Sequence, residues 1–181
     1  MISDSPALSG LIRLRPLYMD RVWGGRQLET RYGRSLPDHG LPYGESWEVV
    51  DRPGEQSVVM EGRFDGLTLH ELWMQHRAEI FGADAPDSDR FPLLIKILDA
   101  CDTLSLQVHP PVSEAAALHG EPKTEMWVIA GAAPDARLYA GVKPGVTRDS
   151  FAAALADGTA ASLVPELPVQ EGDFIFIPSG R

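Results

Sequence analysis

The sequence predicts a mainly β protein, a barrel or sandwich carrying a few short helices. Three observations lead there. Short apolar, β-rich runs recur along the chain, among them residues 46–50, 56–60, 91–100, 125–130 and 174–177. The stretches between them are turn chemistry, drawn from 17 Gly and 15 Pro in 181 residues. Helical spacing is confined to a few segments, the longest being 68–81. Many short strands with such turns argue for a closed or double-layered sheet. There are no internal repeats, heptads, low-complexity tracts or convincing linkers, so a single domain over 1–181 is expected.

Residues 1–10 read as a loose tail. In 11–18, Leu11, Arg13 and Arg15 alternate with Ile12 and Leu14, which predicts a strand ending near Pro16. Trp23-Gly24-Gly25 reads as a turn, because glycine readily supplies positive φ. A short helix is expected over 27–32 and a loop over 34–43, which is rich in Pro, Gly and Asp. Residues 46–50 and 56–60 form a hairpin across Asp51-Arg52-Pro53-Gly54-Glu55. Glu48, beside Trp47, reads as a solvated strand face rather than a group near a metal. In 68–81, Leu69, Leu72, Trp73, His76 and Ile80 share one helical face, and Gly82 is the stop. His70 and His76 lie on different faces and read as structural.

Residues 83–90 form an acidic loop. Residues 91–100 are apolar apart from Lys96, which predicts a buried strand. A lysine there either meets a partner or extends its ammonium to water along a buried stem. A turn at 99–103 leads into a strand over 104–109, which Pro110-Pro111 stops. Ser113 caps a short helix to Leu118, with Gly120 after it. His119 at its end reads as a dipole partner rather than a ligand. Strands are expected at 125–130 and 137–140, a helix over 147–156 between Thr147 and Gly158, and a last strand at 174–177 after the turn 170–173.

The net charge is −10, which argues against nucleic acid and anionic membranes as partners. No apolar run approaches the ~20 residues that cross a bilayer. The first residues lack the basic and apolar segments of a secretory signal. Cys101 stands alone, which excludes an internal disulfide and fits a reducing, cytoplasmic setting. It reads as a strand-end or turn residue, not a nucleophile. An anionic sugar phosphate remains an acceptable ligand where Lys or Arg cluster.

The chemistry concentrates in Gln107-Val108-His109 and Lys123-Thr124-Glu125. In a strand Gln107 and His109 project to one face. Amide oxygen, imidazole nitrogen and carboxylate oxygen are workable ligands for a divalent ion of the zinc class. Most Gln-x-His pairs bind nothing. Here, however, Lys96, Gln107, His109, Lys123 and Glu125 are polar groups set in or against apolar runs, where an unpaired one costs about 1–3 kcal/mol.

The last stretch, Gly172 to Gly180, has the form G-x5-P-x-G and resembles the second motif of the cupin barrels. Gln107-x-His109, Glu125 and Gly131 resemble the first, with Gln in place of its first His. Gln-x-His-Pro, an inserted helix, Lys-Thr-Glu-Met-Trp and Pro-Ser-Gly together resemble the type I mannose-6-phosphate isomerases, a zinc-dependent cupin family. Trp23-Gly24-Gly25, Gly44-Glu45-Ser46-Trp47-Glu48 and Phe91-Pro92-Leu93-Leu94-Ile95-Lys96 extend the resemblance over nearly the whole chain. It implies a cupin double-stranded β-helix, a jelly-roll-like barrel; periodicity alone would not separate this from an ordinary jelly roll.

The resemblance implies interconversion of mannose 6-phosphate and fructose 6-phosphate. One Zn²⁺ per chain would be held by Gln107, His109 and Glu125. Lys123 and Lys96 would be catalytic, and both would bind substrate with Ser105 and a rim contribution from Arg181. The family's fourth ligand, a His, would fall two positions past Arg181, and a catalytic Arg further on. The expectation is therefore a domain incomplete at its C-terminal end, weak or inactive as the 181-residue chain. Two alternatives stay open: a non-catalytic cupin-like sugar-binding module, and a cupin-type glucose-6-phosphate isomerase. Oligomeric state is not legible.

Overall fold

A computed structural model describes residues 10–181; the expected tail lies almost wholly outside the described residues. The chain forms two compact units, the first ending at Leu104 and the second comprising Ser105–Arg181. In the first, the elements run β1 (Leu14–Arg15), β2 (Leu17–Gly25), α1 (Gln27–Thr30), β3 (Tyr43–Val49), β4 (Asp51–Arg52), β5 (Glu55–Gln56), β6 (Val58–Val59), α2 (Leu69–Phe81) and β7 (Ile95–Leu98). In the second they run α3 (Val112–Ala115), β8 (Glu125–Val128), β9 (Arg137–Tyr139), α4 (Arg148–Ala156), a 3-10 turn at Ala160–Leu163, β10 (Glu166–Pro168) and β11 (Phe174–Ile177). Strands dominate, as predicted. No helix among the described residues is long and apolar enough to cross a membrane.

The first unit is built on an antiparallel sheet of order β2-β3-β7. Its register sets Trp47 opposite both Leu17 and Lys96, and Glu45 opposite both Met19 and Leu98. Tyr18 and Ile97 pack on a core of Leu28, Leu36 and Tyr43. The α1 start lacks a side-chain cap of its own. Asp99 supplies one from a distant strand end, its Oδ2 accepting from Gln27 N–H at 2.6 Å. A hairpin forms, but within the stretch expected as its turn: β4 pairs with β5 through Pro53 and Gly54, with Gly54 at φ 85°. Strand β3 pairs with β2 and β7, and β6 with β1, so 46–50 and 56–60 are not the two arms.

Helix α2 follows its local signals. Thr68 caps it in a reciprocal arrangement with Glu71, which satisfies two otherwise orphaned N–H groups. Gly82 ends it at φ 93°. Leu69, Leu72 and Trp73 are buried, each worth about 1.5–3 kcal/mol of apolar transfer for its kind. The Trp73 ring meets Phe81 and Phe91 edge-on at 5.0 and 5.4 Å. His70 pairs with Asp51 and His76 with Glu79, each at 3.2 Å, so both are structural as read.

Trp23-Gly24-Gly25 is not a turn: it closes β2. Neither glycine has positive φ among the described residues. Gly24 bridges Ala100, and Cys101 N–H donates to Trp23 O at 2.8 Å. A Cβ on Gly24 would strike the Tyr43 and Gly44 backbone, and one on Gly44 would strike the Trp23 ring. These glycines serve close approach between strands, a use the sequence alone does not separate from turn formation.

Two other departures, at 91–100 and 104–109, share one cause, the need of a strand for a paired neighbour. The run 91–100 forms a strand only at Ile95–Leu98, at the end of its sheet, and is half exposed rather than buried. Residues 104–109 are not assigned to a strand. A backbone bond to this segment runs from Gly180 N–H to His109 O. Helix α3 starts from Pro111, not Ser113, and lasts one turn; His119 behind it adopts φ 49°.

In the second unit β8 pairs with β11 and β9 with β10, all antiparallel. Thr147 caps α4 reciprocally with Ser150, and Gly158 follows at φ 77°. Across β8–β11, Phe174 faces Val128 and Phe176 faces Met126, and all four are exposed. The opposite face carries Glu125, Trp127, Ile175 and Ile177, which are half-buried.

Replacing Gly24 by Ala should lower the urea midpoint, with a loss of about 1–3 kcal/mol for overpacking. The obstacle is backbone, so no rotamer change relieves it. An unchanged midpoint would contradict the close approach of β2 to β3.

Candidate functional site

In the second unit the loop after β11 joins the two motif halves. Gly180 N–H donates to His109 O at 2.7 Å, and Ser179 N–H to Thr124 Oγ1 at 3.2 Å. The first bond fixes the backbone that carries His109. The second fixes the residue directly before Glu125. Glu125 opens β8 on its half-buried face, opposite Ile177. The Pro178-Ser179-Gly180 loop thus tethers both segments to one end of the β8–β11 pair.

Lys123 Nζ lies 3.2 Å from Glu125 Oε1, with both side chains about a quarter exposed (27% and 28%). Strand β8 begins at Glu125, so strand alternation does not reach back to Lys123. The ion pair nonetheless sets its ammonium against that carboxylate. Gln107 Nε2 donates to Ser105 Oγ at 2.8 Å. The two are neighbours, as alternation expects, although their segment is not a strand. That bond engages the amide nitrogen, so the oxygen is the atom of Gln107 that could act as a ligand. Arg181 is exposed.

Among the described residues no group of three or more His, Cys, Asp or Glu could hold a metal ion. The predicted set contains two such residues, His109 and Glu125, with an amide as third donor. That set suits a divalent ion of the zinc class. A one-turn helix, α3, separates its halves, and the chain returns through the loop that Gly180 closes on Pro111.

The first unit holds the other predicted lysine. Lys96 Nζ donates to Glu45 Oε2 at 3.0 Å and lies 4.4 Å from the Trp47 ring centroid. Glu45 Oε2 also accepts from Trp47 Nε1, and Oε1 accepts from Arg21 Nε at 3.0 Å. The Glu45 side chain is 10% exposed and that of Lys96 24%. Lys96 therefore has a partner and does not simply reach water. Burial acts to raise the Glu45 pKa, but the donors Trp47, Lys96 and Arg21 outweigh it and hold the carboxyl below the ordinary glutamate range.

Sequence reasoning missed Glu45, Arg21 and Trp47 as this cluster. The signal was present in part: Glu45 and Trp47 stand two apart in a strand, and a lysine in an apolar run calls for a counter-charge. Glu48 is not a solvated face. Its carboxylate accepts from Ser46 Oγ at 2.6 Å and from Arg34 at 2.8 Å, and it is half-buried. Cys101 is an exposed turn residue whose Sγ lies against Asp99, and partial desolvation of the thiol, followed by the Asp99 charge, pushes its pKa up, against a thiolate role.

Comparison with known proteins gives consistent matches. A family model described as phosphomannose isomerase type I, catalytic domain, matches residues 11–124. The mannose-6-phosphate isomerase ManA of Bacillus subtilis is 39% identical over 169 residues, which are 92% of this chain and 51% of the relative. The mannose-6-phosphate isomerase of Streptococcus mutans is 38% identical over 161 residues, 88% of this chain and 49% of the relative. The crystal structure of the Bacillus subtilis mannose 6-phosphate isomerase aligns with a TM-score of 0.83 at 33% identity, covering 93% of this chain and 52% of that one. The chain spans about half the length of the relatives it matches. The fold is the cupin fold of the mannose-6-phosphate isomerases, as predicted.

The Glu45 cluster makes a pH prediction. A carboxyl whose pKa falls on folding adds stability that is complete above the unfolded value, 4.5 here, and is lost as pH falls through the folded one. Wild-type stability should therefore decline more steeply below about pH 4.5 than that of Glu45→Gln. Urea unfolding at a series of pH values measures both. Parallel acid limbs would contradict the assignment.

Proposed function

Since the chain belongs to the type I phosphomannose isomerase family, we propose that it is an aldose–ketose isomerase interconverting mannose 6-phosphate and fructose 6-phosphate. The observation that carries the reading is the double tether of the Ser179–Gly180 loop, to His109 and to the residue before Glu125. The matched family model covers residues 11–124 and so includes residues on both sides of Leu104.

Type I phosphomannose isomerases are metal-dependent, and the metal proposed here is one Zn²⁺, held by Gln107 Oε1, a His109 ring nitrogen and the Glu125 carboxylate. Such an ion, when bound, polarises the two sugar oxygens between which the carbonyl is exchanged. Gln107 is neutral, so Glu125 brings the only negative charge of the set. Lys123, ion-paired with Glu125, is the group proposed to donate to sugar oxygens and to move a proton there. Ser105, which shares a hydrogen bond with Gln107, adds a further donor to substrate. Lys96 supplies a fixed ammonium for a sugar oxygen or the phosphate, and Arg181 a rim charge. A cytoplasmic setting agrees with a single free Cys and a soluble sugar-phosphate substrate.

The reading predicts that the chain binds one equivalent of Zn²⁺ and converts mannose 6-phosphate only weakly in a coupled assay. Changing a residue that only supports a metal's ligands typically costs about 10–100-fold in affinity. Removing the only anionic ligand, by Glu125→Gln, should therefore weaken Zn²⁺ binding by about 100-fold or more, read by metal titration. Equal Zn²⁺ affinity of the two chains would overturn the ligand set. Sugar-phosphate binding without turnover by the Zn²⁺-loaded chain would favour a non-catalytic binding module.

A further inference from the structure

We propose that Arg21 is a positioning residue that sets the direction of the Lys96 ammonium through Glu45. The proposal rests on Lys96 meeting the sugar phosphate, as in the reading above. The geometry divides one carboxylate between two tasks. Oε2 accepts from Lys96 Nζ at 3.0 Å and from Trp47 Nε1. Oε1 accepts from Arg21 Nε at 3.0 Å. Arg21 is itself fixed, because its Nη1 donates to the carbonyl of Asp20 at 2.9 Å.

The terminal torsion of a glutamate is broad. A carboxylate held on one oxygen alone swings about that torsion and carries its partner with it. Arg21 on Oε1 fixes the plane, and so fixes where Oε2 lies. Lysine is a point charge on a flexible four-carbon stem and has no preferred direction of its own. Here its Nζ lies over the Trp47 ring, 4.4 Å from the centroid. One of its three donors goes to Glu45, which leaves the others for oxygens of an anionic ligand. The Arg21 side chain is 36% exposed, against 10% for Glu45. Arg21 therefore reaches the cluster from its solvent side and can be changed with little disturbance of the sheet.

The experiment uses the whole chain with Zn²⁺, as wild type, Arg21→Ala and Arg21→Lys. Three quantities are read: Zn²⁺ affinity, the Kd for mannose 6-phosphate by calorimetry, and KM and kcat in the coupled assay. Arg21→Ala should raise Kd and KM about tenfold, with kcat within about twofold and Zn²⁺ affinity unchanged, which is the pattern of lost uniform binding. Arg21→Lys, whose ammonium can still reach Oε1, should recover part of the loss. If Arg21→Ala does not fold, judged by circular dichroism, Arg21→Gln replaces it with the same expectation. Wild-type binding with an unchanged Kd in the variant would overturn the positioning role and leave the proposed function standing. A parallel loss of Zn²⁺ affinity would overturn it too, since the effect would not be local to Lys96. A wild-type chain that neither binds nor converts mannose 6-phosphate would overturn the function, and this inference with it.

Discussion

A single carboxylate takes a hydrogen-bond donor from every strand of the principal sheet. Glu45 of β3 accepts from Arg21 of β2, from Trp47 of its own strand and from Lys96 of β7. Placing a charge that deep in a sheet is costly unless it is paired and fully hydrogen-bonded. Here both oxygens are engaged, and the net effect favours the ionised form. The register follows the same constraint, because Trp47 opposite Lys96 puts both within reach of the residue two positions earlier. The opposite face is a conventional core of Leu28, Leu36 and Tyr43 under Tyr18 and Ile97. The sheet thus has one face that packs on an apolar core beside the Ser46–Glu48–Arg34 network and one face whose carboxylate fixes a lysine.

The second unit solves a different problem. Its strands pair two by two, and such pairs are marginal in isolation. Position is held instead by loops with specific backbone bonds. The Pro178-Ser179-Gly180 loop is the clearest case, since its two N–H groups reach segments 55 and more residues earlier in the chain. Gly180 adopts φ 87°, a conformation side chains rarely take, which explains a glycine at that point. Ligand-type side chains mounted on tethered loops can be set near one another without a continuous ladder beneath them.

Much of this was legible in the sequence where signals are local. Helices α2 and α4 are marked by Thr68 and Thr147 at their starts and by Gly82 and Gly158 beyond their ends, all within a few residues. The strand-dominated class and the cupin fold were legible too, from turn chemistry and from motif order. What failed depended on distant partners. Gly24 looks like a turn glycine until Gly44 is placed against it. Residues 104–109 have strand composition, yet a strand exists only where a neighbour pairs with it. At the candidate site, Lys96 announced its need for a partner, but only the register named Glu45. The residue types of Gln107, His109 and Glu125 were readable; the Ser179–Gly180 tether that gathers their segments was not.

The central claim, that Glu45 and Lys96 act as one energetic unit, is tested most directly by a double-mutant cycle in unfolding stability. The cycle compares Glu45→Gln, Lys96→Met and the double variant with wild type. Neighbouring charged groups in one network couple by about 0.5–3 kcal/mol. Each single change leaves a partly buried group without its partner, so the double variant should be less destabilised than the two singles added together, by at least about 1 kcal/mol. Additive effects, with coupling within about 0.3 kcal/mol of zero, would contradict the account.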